Sequence, residues 1–307
     1  MIGPLAMILL GGIYLLFRNN EHTIPSILSN TKSNEIEEFD RAESFYLKRL
    51  QVSPHGGLNQ AALASIYVSK SKLTGNLQYM DKAEVLARKS LENLPYYNYE
   101  AQLVMAKVSE TRHFFPEAIM RAKAVLNQKP IHQGALLTLV SSLLGYGKLN
   151  EAERYSSQLI ELSPTIEPYA MRALVYLAQG KEQNALRDFQ SALNSETVED
   201  VRQSAWVRSL IGRYYLEKGF LSTSYKYLVS SLALVDDFHM ALALMAELDE
   251  KKGNYKRADD NYSRAFKSKG EPAYLIKQAR LREKTGDAQR SLWPLLFLSD
   301  NHVIFNS

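Results

Sequence analysis

Between residues 34 and 299 apolar side chains recur at three- and four-residue steps, and no stretch keeps the strict alternation of a half-buried strand, so the pattern predicts helices throughout. In the segment Glu151 to Leu162, Ala152, Tyr155, Leu159 and Leu162 form one apolar stripe, while Glu151, Glu153, Arg154 and Glu161 occupy the remaining surface. Leu94-Pro95, Lys129-Pro130 and Ser163-Pro164 mark helix ends, because proline cannot continue the ladder and restricts the residue before it. Gly147, Gly180, Gly219 and Gly253 fall between paired helices, where a left-handed residue closes the helix before it.

The helices repeat. Ala83, Ala118, Ala152 and Ala185 open the same small pattern at intervals of 35, 34 and 33 residues. Ala118 is followed by Ala122, Val125 and Pro130 and preceded by Met105, Ala106 and Ser109; around Ala152 the same offsets hold Ser156, Leu159 and Pro164, with Leu139, Val140 and Leu143 upstream. Ala185 brings Tyr169, Ala173, Tyr176, Phe189 and Ala192, and Ala258 brings Leu242, Met245, Ala246, Tyr262 and Ala265. Between them Ser224 heads a degenerate unit with Gly212, Tyr215, Leu228 and Ser231. Small residues at these places let two helices approach closely, and a period of this length is that of stacked helix pairs. Ala83 has Ala87, Ser90 and Pro95 after it, but Leu63, Ala64 and Tyr67 lie seven residues too far upstream, which predicts a looped insertion over Ser69 to Tyr79. Ala42 with Tyr46 and Pro54 repeats the second-helix half, and Ala279 with Ser291 fits a last unit.

These rows resemble the tetratricopeptide repeat, whose pattern is an aromatic, a Leu-small pair, a Tyr, then Ala, Phe and a closing Pro. The resemblance implies an all-α, right-handed α-solenoid of about seven helix pairs over residues 34–299, in units near 34–54, 57–95, 99–130, 133–164, 166–197, 205–236, 239–270 and 272–299, with a tail over 300–307. Most of the tyrosines, Tyr67, Tyr176, Tyr215 and Tyr262 among them, then fill packing positions. In such repeats the first helices of successive pairs line a concave face that holds the ligand. Carried onto this chain, that groove includes Lys107, Leu137, Leu174, Leu177, Trp206, Arg213, Glu247 and Arg280, apolar at its centre and charged towards its C-terminal end. An extended peptide or partner helix would lay apolar side chains along Leu137, Leu174 and Leu177, with Trp206 and Arg213 as aromatic and cationic anchors. Trp206 has a second reading, as filler of the repeat's aromatic packing position. The basic-asparagine arrangement that grips a chaperone's C-terminal carboxylate is not found.

Both ends of the repeats carry apolar sequence that the repeats do not explain. Met1 to Phe17 has no charged side chain and, at about 25 Å of helix, reads as a short transmembrane anchor over residues 1–18. A cleaved signal peptide is the alternative, although no Lys or Arg precedes the run and Phe17-Arg18-Asn19-Asn20 makes a poor cleavage site. A buried soluble helix is a third. Residues 19–33 are polar and read as a tether, and Arg18 and Lys32 after the span lean the repeats to the cytoplasmic side. At the other end Leu292 to Leu298 is apolar almost all round, so either residues 301–306 fold back over it or Trp293, Leu296 and Phe297 form a partner or self-association surface.

Composition narrows the function classes. With 46% hydrophobic and 23% charged residues the chain can bury a core along its whole repeat region, and a net charge of +4 is too even for a nucleic-acid binder. There is no cysteine, hence no disulfide, thiol catalysis or cysteine-held metal. The six histidines, His22, His55, His113, His132, His239 and His302, are scattered without metal-ligand spacing, and no phosphate-binding loop or nucleophile elbow occurs. The expectation is a non-enzymatic protein with no catalytic residue, no cofactor and no metal: a membrane-anchored protein-protein interaction scaffold or assembly factor that binds protein or peptide partners. The alternative is an accessory protein of secretion or of polysaccharide-export and envelope biogenesis, with its repeats on the extracytoplasmic side.

Overall fold

The computed structural model describes residues 31–286, with side chains from residue 35. The anchor over 1–18, the tether up to residue 30, Trp293, Leu296, Phe297 and the tail over 300–307 lie outside the described residues. Within them are fourteen α-helices and no strand. A leading helix α1 (Thr31–Val52) is followed by the pairs α2 (Gly57–Thr74) and α3 (Gln78–Asn93), α4 (Tyr99–Thr111) and α5 (Phe115–Gln128), α6 (Gln133–Gly145) and α7 (Leu149–Leu162), and α8 (Ile166–Ala178) and α9 (Glu182–Asn194). Two more pairs, α10 (Val201–Glu217) with α11 (Leu221–Leu234) and α12 (His239–Lys251) with α13 (Tyr255–Lys269), precede the single helix α14 (Pro272–Lys284). No helix among the described residues is long and apolar enough to cross a membrane.

The pairing follows from the small residues. Ala83, Ala118, Ala152, Ala185 and Ala258 are fully buried, each on the second helix of its pair where it faces the first. At three of the positions where serine stands, its hydroxyl finds a main-chain acceptor on the other helix: Ser90 donates to the Gly57 carbonyl at 2.6 Å, Ser224 to that of Gly212 at 2.8 Å and Ser231 to that of Ala205 at 2.7 Å. A buried hydroxyl without such a partner would cost about 1–3 kcal/mol, so the degenerate fifth pair keeps its close contact with a satisfied polar group.

Successive first helices, α2 with α4, α4 with α6 and onward to α10 with α12, also pack on one another, whereas second helices touch mainly first helices. Elements that touch on one side and splay on the other must curve, with the first helices inside. Gly147, Gly180, Gly219 and Gly253 close the first helices with φ of 81°, 74°, 80° and 77°, in the left-handed region predicted for them. In the pair α4 and α5 the same place is held by His113 with φ of 62°, a conformation that strains a residue bearing a Cβ.

The insertion is not a loop. Residues 69–74 continue α2 as helix, to 18 residues against 13 for α4, and only the three residues before α3 are non-helical. The cause is that the buried stripe runs on through Val68, Ser71 and Leu73, while Lys70 is held by Asp40 at 2.6 Å and by Glu43, both on α1. Two further boundaries move: α1 starts at Thr31, inside the expected tether, and α10 starts at Val201, four residues ahead of the expected unit.

Curvature brings the two ends of the array together. The tip of α2 packs on α13, and Gly75, with φ of 76°, sits so close to the end of α13 that a Cβ there would lie 1.8 Å from the Lys269 carbonyl oxygen. Glu35 near the start of α1 lies 3.8 Å from Arg202 near the start of α10. Both contacts join elements about five pairs apart, so the solenoid completes one superhelical turn.

Candidate functional site

The inner wall of that turn carries a band of half-buried apolar side chains. Leu137 on α6, Leu174 on α8 and Trp206 on α10 all pack on one core cluster that includes Val140, Leu143, Met171 and Val175. Leu174, Leu177, Trp206 and Met240 in turn cover the neighbouring cluster around Ile166, Phe189 and Val207. Four of the sequence-derived groove residues, Leu137, Leu174, Leu177 and Trp206, are therefore brought onto one continuous strip across three first helices. Trp206 has both of its expected characters, since it packs against three clusters and still keeps part of its surface exposed.

The charged groove residues are engaged within the fold or lie apart from that strip. Arg213 is exposed and reaches along its own helix to Glu217 at 2.8 Å, and Glu247 on α12 accepts a hydrogen bond from Lys277 on α14. Arg280 is exposed on α14. Such exposed ion pairs contribute about 1 kcal/mol or less and leave their charges available to a stronger partner.

Lys107 belongs to a different feature. It lines a cavity of about 430 Å³ with Lys72 at the end of α2, Glu110, His113, Phe115, Ser141, Leu144 and Gly145. Phe115 enters this corner because Gly145 has no side chain: a Cβ there would meet the ring at 2.6 Å. Burial pushes the Glu110 carboxyl up to about 7 against the opposing pull of Lys72 and Lys107, and Ser141 donates a hydrogen bond to it. Burial, then the nearby Lys72 ammonium, lowers Lys107, while Glu100, Glu110 and Glu167 act to raise it. The corner is of mixed charge, and among the described residues no group of three potential metal ligands occurs. Sequence reasoning missed Glu110 and Lys72. Glu110 lies one helical turn beyond Lys107 on the same face, a signal that was present, whereas Lys72 lies in the extension taken for a loop.

Three solved structures with this architecture are distant in sequence. The TTC0263 tetratricopeptide-repeat protein of Thermus thermophilus superposes with a TM-score of 0.54 at 18% identity, over 63% of this chain and 99% of that one. The chain has the fold of a tetratricopeptide-repeat solenoid. Yeast Tom70 shares that fold with a TM-score of 0.63 at 15% identity, over 86% of this chain and 55% of its own. So does a chain of the APC/C hetero-tetramer Cut9-Hcn1, with a TM-score of 0.57 at 18% identity, over 87% and 51%. The chain thus spans about half the length of these last two. No protein-family profile and no curated protein sequence matches it. Within the tetratricopeptide-repeat frame, the band of Leu137, Leu174, Leu177 and Trp206 lies on first helices, the inner layer of the solenoid.

Proposed function

We propose that this protein is an interaction scaffold, held at a membrane by residues 1–18 with its repeats on the cytoplasmic side, that takes an apolar segment of a protein partner onto its concave face. The observation that carries the reading is the continuous half-buried strip of Leu137, Leu174, Leu177 and Trp206 on the inner wall. Apolar side chains that remain part-exposed on a concave surface gain about 25 cal/mol per Å² when a partner covers them, and an aromatic at the centre is the usual anchor. Arg213, Glu247 and Arg280 at the C-terminal end would then set the register of a charged flank. The anchor rests on the uncharged run Met1 to Phe17, and the side on Arg18 and Lys32.

The test is affinity purification of the full chain from detergent-solubilised membranes, with Leu174→Asn and Trp206→Ala compared with the parent. We expect both variants to stay in the membrane fraction and to lose at least about tenfold of the recovered partner, the factor of a 1.4 kcal/mol loss. A chain lacking residues 1–20 should leave the membrane fraction while still holding the partner in solution. Unchanged recovery by both folded groove variants would move the binding face elsewhere, and a deletion that stays with the membrane would remove the anchor.

A further inference from the structure

The extension of α2 has a place in the molecule that partner binding on the strip does not use. Among the described first helices it alone runs on at its C-terminal end, and its tip is the point where the first pair meets the sixth. Gly75 is matched to that meeting. Its φ of 76° suits glycine, and the space where a Cβ would go is filled by the main chain of Lys269, with the carbonyl carbon at 2.9 Å behind the oxygen at 1.8 Å. By contrast Gly180 has nearly the same φ, 74°, and a Cβ added there would meet nothing within 4 Å. One glycine is required by its turn alone, the other by its turn and by a close approach across the array.

The seam formed here differs in kind from the joints between successive pairs. Those joints are built on shared apolar clusters, such as the one that runs from α2 through α3 to α4. No cluster among the described residues combines side chains of α1 to α3 with those of α12 or α13. Among the described residues the ends are joined by the main-chain approach of Gly75 to Lys269 and by the long Glu35 to Arg202 pair at 3.8 Å, and the Arg202 Nη1 has no hydrogen-bond partner there. A contact without a shared apolar cluster and with one partly exposed ion pair is weaker than the joints it spans, each of which is held by a core.

We infer that the α2 extension is a releasable latch, which closes the superhelical turn through Gly75 and opens without disturbing the helix pairs, so that the concave face alternates between an enclosed channel and an open groove. The inference concerns the free chain and does not depend on the partner proposed above. Opening needs only a small change at each of five or more inter-pair joints, the kind of distributed deformation that stacked repeats allow.

The test uses the absence of native cysteine. Spin labels on Asn76→Cys and Lys267→Cys, on either side of the seam, report the distance across it in the full chain by pulsed electron resonance. A short distance with a minority long one is expected. Gly75→Asn should raise the ratio of long to short by about tenfold or more, the factor of a 1.4 kcal/mol penalty. Asparagine tolerates the left-handed conformation, so α2 keeps its cap while bulk enters the seam. Gly180→Asn, with equal backbone demand and open space, should leave the parent distribution in place. A parent with only the short distance would be a fixed ring, one with only the long distance would have no closure, and either overturns the latch. So does a Gly75→Asn chain with parent-like circular dichroism and parent-like distances.

Discussion

Glu110 shows how one residue can be named by physics that its sequence neighbourhood conceals. A carboxyl whose folded pKa of about 7 stands above an unfolded value of about 4.3 is a group the fold prefers protonated. The stability it lends is complete below the unfolded value and is lost as pH rises through about 7. Glu110→Gln should therefore gain melting temperature over the parent as pH is raised, with little difference near pH 4 and a few degrees near pH 8. Calorimetry at the two pH values checks this, and a difference that does not change with pH would show that burial does not govern the group. His113 gives a related lesson. In the sequence it is one of several scattered histidines, yet it stands 34 residues before Gly147 in the same turn and takes the same left-handed backbone. The repeat register carried that information, but only coordinates show that a residue with a Cβ accepts the strain.

At the scale of elements, helix pairs were legible because their causes are local. Periodicity sets the stripes, prolines and glycines set the ends, and fully buried alanines set the closest approach within each pair. The α2 extension was misread because Thr74-Gly75-Asn76 looks like a loop, and what keeps residues 69–74 helical is the continuing buried stripe and the hold of α1 on Lys70. Element packing also makes a prediction. Gly145 and Phe115 meet at the joint between the second and third pairs, so Gly145→Ala should cost about 1–3 kcal/mol by overpacking. Most of that cost should disappear in a Phe115→Ala background, as a urea double-mutant cycle would measure. Equal costs in both backgrounds would assign the effect to the helix end instead.

At the scale of the whole molecule, the described helices form a one-dimensional stack whose ends approach each other. In such a stack the middle is held from both sides and the end from one. Leu159 on α7 is fully buried and Leu281 on α14 nearly so. Each loses about 2–5 kcal/mol of packing on change to alanine. Leu281→Ala should lose amide-exchange protection over α14 and little elsewhere, while Leu159→Ala should lose it across several neighbouring pairs. Exchange that rises uniformly in both variants would mean that the solenoid unfolds as a single cooperative unit.

By itself the sequence determined the helices, their pairing, the all-α solenoid fold and the row of candidate groove positions, because each of these depends on spacing along the chain and on small residues at fixed offsets. Only the tertiary structure decided which groove positions join. Leu137, Leu174, Leu177 and Trp206 form one strip because curvature turns their helices inward, Lys107 is drawn into a separate corner with Lys72 and Glu110, and the tip of α2 reaches α13. The physical reason is cumulative: each pair adds a small rotation that no single repeat encodes legibly, and five such steps bring residues 75 and 269 into contact.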